Sequence, residues 1–405
     1  MCGVLALIYP KGCSPSSRQL ERIVNRMSHR GPDGMGVRIN GEIGFAHRRL
    51  AVIDILDATQ PMVLPSGIKV TFNGEIYNFR ELRSTLIGCG HSFKYDSDTE
   101  VLLHAAEQWG PDCLNRLEGM FSLVVDDPIR GITWAARDRM GQKPLFAFDK
   151  RFFADIEHGF VSELKCILPE QNCNRVVSPN AVSRFLAYDF MPDSDGFFVG
   201  VQKVAPGELW VIDRDNLSKK PIRKKWYDLP FGRLDKVNKQ QAIEQLDEQL
   251  DIATQRCMVA DVPLGIFLSG GIDSSLITAY ACRHINPNSL KTFSIGFNNP
   301  AFDESIYAQN VANHLGTKHH NLTVDSSDLL NIVPSILSAQ DEPFADPSII
   351  PTAILSRFAR EEVTVALGGD GGDELFLGYP TFVAENILSY FSWVPPEVFS
   401  NLANF

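Results

Sequence analysis

The sequence predicts a two-domain chain of mixed α/β and α+β character, in which a block with antiparallel sheets precedes a block built on a parallel α/β sheet. Three observations predict it. At 405 residues the chain exceeds what one hydrophobic core usually organises. Up to about residue 213 it carries short β-like runs broken by Gly, Asn and Asp turns, whereas from Lys239 apolar strands alternate with helical stretches. Between them, residues 216–238 hold the basic run Lys219-Lys220-Pro221-Ile222-Arg223-Lys224-Lys225 and no helical period. The expected division is therefore 1–213, a solvated linker over 214–238, and 239–405.

In the first block, residues 69–72, 121–125 and 209–212 read as strands. In the second, Ile243, Leu246, Leu250 and Ala253 give 242–258 helical spacing, and 262–268 is an apolar run before a glycine turn. A helix over 276–282, a strand over 292–297, a helix over 305–315 and a strand over 363–367 follow. There is no internal repeat and no low-complexity segment.

Composition narrows the function classes. The chain has 38 basic and 49 acidic side chains, a net charge of -11, and is 44% hydrophobic and 21% charged. These fractions exclude a disordered, collagen-like or disulfide-stapled chain. The acidic balance argues against nucleic acid or an anionic membrane as partner, since either needs a cationic footprint, so small ligands are expected. Cysteines at 2, 13, 89, 113, 166, 173, 257 and 282 show no CxxC pair and no ligand spacing with His, which argues against a zinc or redox motif. The apolar N-terminus lacks the basic flank of a signal peptide, and no stretch approaches the ~18 apolar residues of a membrane span. The reading is cytoplasmic.

Cys2 follows the initiator Met, and a residue that small normally allows Met removal. A free α-amino group titrates near ~8 and can act as base for its own thiol, so nucleophile and base arrive in one residue. Downstream come His29-Arg30-Gly31-Pro32-Asp33, Ala46-His47-Arg48-Arg49-Leu50-Ala51-Val52-Ile53-Asp54, Asn73-Gly74-Glu75-Ile76-Tyr77-Asn78, Asp96-Ser97-Asp98-Thr99-Glu100 and Arg137-Asp138-Arg139-Met140-Gly141-Gln142-Lys143-Pro144-Leu145. This ordered set resembles the class II, N-terminal-nucleophile glutamine amidotransferase domain. The resemblance implies a four-layer α/β/β/α sandwich with Cys2 as nucleophile and Asn73 and the Gly74 N–H as oxyanion donors. It further implies Arg49 as a clamp on the glutamine carboxylate, with Glu75 and Asp98 on its ammonium. Arg48, His29 and His47 are expected to be structural, and His29 and Arg30 to open a turn that closes over bound glutamine.

The second block holds Leu268-Ser269-Gly270-Gly271-Ile272-Asp273-Ser274-Ser275 between a strand and a helix. Glycines let backbone N–H groups approach phosphate oxygens, hydroxyls add donors, and a helix start favours the anion. No Walker lysine is present. The string resembles the pyrophosphatase loop of the ATP-pyrophosphatase superfamily, which implies ATP contacts from Phe267, Leu268, Ser269, Gly270, Gly271, Asp273, Ser274 and Ser275, with Ile295 against adenine. A second strand runs into Gly368-Gly369-Asp370-Gly371-Gly372-Asp373, so Gly368 and Gly369 join the ATP site at the carboxyl edge of the sheet, and Asp273 and Asp373 are expected to share Mg²⁺. His319 and His320 face opposite ways on a strand, which excludes a paired metal role.

Together the blocks resemble glutamine-hydrolysing asparagine synthetase and its relatives along nearly the whole chain. The implied reaction activates a small carboxylate as an acyl-adenylate, which ammonia from glutamine then attacks. Asp370 and Leu377 stand where aspartate-specific relatives usually have Glu and Gly, so aspartate, a sugar carboxylate and a peptide carboxylate all remain as acceptors. Relatives also continue past the Gly378-Tyr379 element into a helical region with a catalytic lysine. The expectation is a fragment acting as glutaminase or partner-dependent binding subunit, or a chain completed by a homodimer mate or companion chain. It also includes uncovered apolar surface around Leu388, Phe391 and Trp393 that drives association.

Overall fold

A computed structural model describes residues 1–390 apart from 56, 193–195, 231, 233–236 and 302, and describes only the backbone at 326. The chain divides into two compact units. The first comprises 1–244 with 259–263 and 326–356; the second comprises 245–258, 264–325 and 357 onward. No helix among the described residues is long and apolar enough to cross a membrane.

The strands of the first unit are β1 (Gly3–Ile8), β2 (Gly34–Asn40), β3 (Ile43–Arg49), β4 (Met62–Val63), β5 (Lys69–Ile76), β6 (Gly119–Asp127), β7 (Ile132–Arg137), β8 (Phe146–Asp149), β9 (His158–Val161), β10 (Val201–Lys203), β11 (Glu208–Asp213) and β12 (Ile222–Lys225). They form two antiparallel sheets, ordered β10-β8-β9-β1-β3-β2 and β12-β11-β7-β6-β5-β4. Every residue of β1 is buried. Successive side chains of a strand face opposite ways. Val4, Ala6 and Ile8 therefore join Val124, Ala135, Trp210 and Ile212 of the other sheet in one core, while Leu5 and Leu7 pack with Leu20, Ile23 and Val24 of helix α1 (Ser17–Asn25). Helices α2 (Phe79–Gly88) and α3 (Asp98–Trp109) pack together, α3 covering β4 and β5, which completes the α/β/β/α layering. Helix α4 (Pro179–Tyr188) follows β9.

Two segments lie outside the expected division. Within the basic run read as linker, Ile222–Lys225 is an exposed edge strand on β11, tied by Arg223 Nε to Glu208 at 2.7 Å. Its lysines suit an edge, because charge there discourages further strand pairing. Residues 326–356, expected with the second block, belong to the first unit: Lys165 N–H donates to Asp341 Oδ1 at 2.7 Å, Phe197 N–H to Glu342 Oε1 at 3.1 Å, and Ala345 N–H to the Asp189 carbonyl at 2.9 Å.

The remaining elements are helix α5 (Lys239–Cys257), β13 (Leu264–Phe267), α6 (Ile272–His284), β14 (Lys291–Phe297), α7 (Ser305–Leu315), β15 (Lys318–Val324), α8 (Ser326–Ala339), α9 (Ile349–Arg360), β16 (Val365–Leu367), α10 (Gly372–Phe376) and α11 (Pro380–Ser389). The second unit's four strands pair in parallel in the order β15-β14-β13-β16. Its core holds two clusters, Ile266 with Ala281 and Leu290, and Leu268 with Ala308 and Ala312. From β13 the chain steps to β14 and β15 on one side, whereas β16 lies on the other. This reversal between β13 and β16 opens a crevice at their carboxyl ends, the usual ligand position of such sheets. On α11, Leu388 is 56% exposed, while Phe391 and Trp393 lie outside the described residues.

Candidate functional site

Cys2 stands at the head of β1. Its backbone N–H donates to Asn73 Oδ1 at 2.9 Å, its carbonyl accepts from Arg30 Nε at 2.8 Å, and its sulfur accepts from the Leu50 N–H at 3.4 Å. The Asn73 side chain is buried, and its Nδ2 has no hydrogen-bond partner. A buried unpaired amide donor costs about 1–3 kcal/mol, and this one stands free to receive an acceptor beside the thiol. Gly74 follows with no room for a side chain, since a Cβ there would stand 2.0 Å from the Met120 carbonyl oxygen. Burial pushes the Cys2 thiol above its ordinary pKa and holds the amine of Met1 down to about 6. The Met1 amine is thus largely neutral at pH 7, the state in which an amine can accept a proton.

Glu75 and Asp98 face each other electrostatically. Asp98 is the first residue of α3, a helix begun by Ser97, whose hydroxyl accepts from the Glu100 N–H at 3.2 Å. Asp98 accepts from the Ile76 N–H at 3.0 Å. Burial raises its pKa to about 6, and burial followed by the charge of Asp98 pushes Glu75 well above its usual range. Two crowded carboxylates of this kind await a cation. Lys143, buried and held down in pKa by that burial, contributes positive charge to Glu75 and Cys2. Its loop is built on Asp138, which accepts from the N–H groups of Phe121, Met140, Gln142 and Lys143 at 3.0–3.1 Å. Arg49 donates to the carbonyls of Ile53, Asp54 and Ile55, so gripping a carboxylate requires exchange of some of those bonds.

These shifts carry a prediction. Asp98 titrates near 3.9 in an unfolded chain and about 6 in the folded one. Between those values the folded state holds more protons, so its contribution to stability is present below about pH 4 and is lost as pH rises to about 6. Asp98→Asn should therefore melt about 2–4 °C above wild type at pH 8 and close to it at pH 4. A variant that melts below wild type at pH 8 would contradict the burial argument.

The residues expected to be structural are engaged with protein. His47 Nδ1 lies 3.1 Å from Thr71 Oγ1, and burial lowers its pKa to about 3. Arg48 Nε donates to the Gly31 carbonyl at 2.8 Å. His29 Nε2 and Arg30 Nη1 both reach Glu163, each at 2.9 Å. Sequence reasoning missed Glu163 and Lys143 as neighbours of the Cys2 pocket, and Arg30 as the group on the Cys2 carbonyl. A single Glu after a buried strand carries no signal, and Lys143 was visible only as part of its motif.

In the second unit, β13 delivers Phe267 and buried Leu268 to the loop. Ser269 Oγ and Ser274 Oγ lie 3.0 Å apart, and the Gly271 N–H donates to Ser269 Oγ at 3.2 Å. Gly270 has a φ of +85° and packs on the Tyr307–Ala308 backbone. The Ser275 hydroxyl is buried without a partner. Gly368 and Gly369 follow β16, and a Cβ on Gly372 would come 2.6 Å from Asp273 Cγ, so the Asp273 carboxylate lies against the turn that carries Asp373. Ile295 lies half-buried in β14 beside β13. The Asp373 carboxylate lies against Gly378, so of the two expected cation ligands Asp273 is the one set at the turn; a helix start and an orphaned hydroxyl beside it suit a phosphate. Leu377 adopts φ +60° at the end of α10, a left-handed position that costs a Leu about 1–2 kcal/mol and suits Gly. His319 is engaged by Thr292 at 3.0 Å and Ser294 at 3.1 Å, while His320 stacks on Phe293 from the opposite face.

Residues 1–227 match the glutamine amidotransferase domain family, and residues 245–404 match the asparagine synthase family. Glutamine-hydrolyzing asparagine synthetase 1 of Bacillus subtilis is 33% identical over 98% of this chain and 61% of its own length. The putative glutamine-hydrolyzing asparagine synthetase 2 of Methanocaldococcus jannaschii is 33% identical over 94% of this chain and 76% of its own. A solved glutamine phosphoribosylpyrophosphate amidotransferase of B. subtilis aligns with a TM-score of 0.40 at 15% identity, covering 80% of this chain and 81% of that one. The chain spans about three-fifths of the length of the first B. subtilis relative.

Proposed function

Because this chain belongs to the glutamine-hydrolysing asparagine synthetase family, we propose that its first unit releases ammonia from glutamine and its second unit spends ATP to activate the carboxylate that the ammonia attacks. The observation that carries the glutaminase half is the orphaned Asn73 Nδ2, placed by the same side chain whose Oδ1 fixes Cys2. With Met1 removed, the Cys2 α-amine takes the thiol proton and the thiolate adds to the amide carbon of glutamine. The oxyanion is received by Asn73 Nδ2 and the Gly74 N–H. On collapse, the nitrogen leaves as ammonia with the proton returned by the α-ammonium, and water hydrolyses the remaining γ-glutamyl thioester. Arg49 takes the substrate carboxylate, and Glu75 and Asp98 its ammonium. Lys143 adds positive charge beside Glu75, and Arg30 holds the Cys2 carbonyl.

For the second unit, Ser269, Gly270, Gly271, Ser274, Ser275, Gly368 and Gly369 hold the ATP phosphates, and Phe267, Leu268 and Ile295 line the nucleotide. Mg²⁺ on Asp273 and Asp373 would neutralise charge on the pyrophosphate that leaves. The acceptor is proposed to be aspartate, giving asparagine in the cytoplasm. Asp370 and the strained Leu377 favour comparing it with a sugar or peptide carboxylate. ATP with Mg²⁺ should raise the melting temperature of the chain, since a ligand that binds only the folded state stabilises it. In Asp273→Asn the metal-dependent part of that rise should disappear, because a charged hard ligand has become neutral. Equal rises in variant and wild type, with and without metal, would remove Asp273 from the site.

A further inference from the structure

His91, His104 and Glu107, none of them among the residues of either site, bring three donor atoms together in the first unit. Among the described residues this is the one group of three or more His, Cys, Asp or Glu donors close enough to share an ion. His104 and Glu107 sit one turn apart on α3 and so share a face. His91 comes from the loop between α2 and α3. His91 Nδ1 lies 3.0 Å from His104 Nδ1, and Glu107 Oε2 lies 3.5 Å from each. Tetrahedral Zn²⁺, with bonds of about 2.0–2.2 Å to nitrogen and oxygen, holds its donors roughly 3.3–3.5 Å apart. The triangle is already close to that size.

The protonation pattern points the same way. His91 Nε2 lies 2.9 Å from Gln108 Oε1, which can only accept, so Nε2 carries the hydrogen and Nδ1 of the neutral ring presents a lone pair. An outer partner that fixes the tautomer is the usual companion of a metal-bound histidine. Without an ion, a proton between the two Nδ1 atoms satisfies one pair and leaves the carboxylate to a weaker contact; a divalent cation satisfies all three. The two imidazoles are shielded, with the His104 and His91 side chains 9% and 12% exposed and the edge-on ring of Phe93 4.7 Å from His104, while Glu107 is 24% exposed and borders solvent. We propose that His91, His104 and Glu107 form a zinc site with a fourth position open to water. Two imidazoles and a carboxylate select a transition metal of this kind over Mg²⁺ or Ca²⁺. The ion ties the loop before α3 to the helix whose first residue is Asp98, so its role is to stiffen the element that presents that carboxylate.

The three ligands include no cysteine and no adjacent histidine pair, so their spacing carries no zinc signature in the sequence. Metal binding here can be read without any assay of the proposed activity. Its test uses the full chain, stripped of metal by a chelator and desalted, then titrated with Co²⁺. The expected result is a visible ligand-field band that saturates at one equivalent, shows no thiolate charge-transfer band in the near ultraviolet, and is erased by Zn²⁺. Glu107→Gln, at the outer edge of the triangle, keeps the shape of the side chain and should lose the band. Gln108→Leu should keep it with affinity weakened by about 10–100-fold. Zn²⁺ should raise the melting temperature of stripped wild type and not of Glu107→Gln. Absence of a saturable band, a band carrying thiolate absorption, or an unchanged band in Glu107→Gln would each overturn the proposal.

Discussion

Cys2→Ala is expected to lower glutamine hydrolysis by about 10⁴–10⁶-fold, since removing the nucleophile from a cooperating unit abolishes nearly all of its advantage. The reason is chemical rather than architectural. A methyl group cannot form a thioester, while the contacts that hold the head of β1 in place are made mainly by the backbone, the sulfur adding only its weak contacts with Leu50. The Cys2 N–H reaches Asn73 Oδ1 and the Cys2 carbonyl takes Arg30, and neither involves sulfur. The variant should therefore keep its melting temperature and its ATP-dependent thermal shift. Active protein should have a mass lacking Met1, because the base is the α-amine of Cys2 itself. Preparations in which Met1 is retained should be inactive in proportion to the retained fraction. Hydrolysis at the wild-type rate in Cys2→Ala, or full activity in protein that still carries Met1, would end the assignment.

The layered fold was legible where local pattern and tertiary role agree. The strands read over 69–72, 121–125 and 209–212 are found within Lys69–Ile76, Gly119–Asp127 and Glu208–Asp213. In the second unit the change from antiparallel turns to alternating strands and helices marked the parallel sheet, and the helix read over 305–315 is found as Ser305–Leu315. The grouping of segments was less legible. Residues 326–356 join the first unit through hydrogen bonds donated by Lys165 and Phe197 and accepted by Asp189, partners far away in the chain that leave no trace in local composition. The basic run at 219–225 read as solvated, and it is exposed; that Ile222–Lys225 pairs with β11 depended on an edge being available.

The pocket divides the same way. Cys2, Asn73, Glu75 and Asp98 lie in ordered motifs and were visible as a set. Glu163, which orients Arg30 on the Cys2 carbonyl, and Lys143, which faces Glu75, are single charged residues whose meaning comes from burial. The His91–His104–Glu107 triangle is a sharper case, because its geometry depends on how the loop before α3 folds back along the helix. Residue types in one dimension announce chemistry when the family repeats them in order, and charge networks appear only once the chain is folded.

Asn73→Ala should separate catalysis from binding. The wild-type side chain has two tasks, with Oδ1 accepting from Cys2 and Nδ2 left buried and unpaired. Loss of one preorganised oxyanion donor costs about 10²–10³ in kcat, or roughly 2.7–4 kcal/mol. The KM for glutamine should change far less, because its charged ends are held by Arg49, Glu75 and Asp98. Stability should move little: truncation strands the Cys2 N–H but also removes an amide donor that was already unsatisfied. Asn73→Asp distinguishes the two tasks. It keeps an acceptor for the Cys2 nitrogen and replaces the donor with a negative charge, which repels an oxyanion. If anchoring Cys2 is the whole role, Asn73→Asp should retain most of the wild-type kcat. If the donor receives developing charge, Asn73→Asp should be at least as slow as Asn73→Ala while its melting temperature stays near wild type. The buried, unpaired Nδ2 makes the second outcome the expected one; near-normal kcat in Asn73→Asp would remove Asn73 from the oxyanion site.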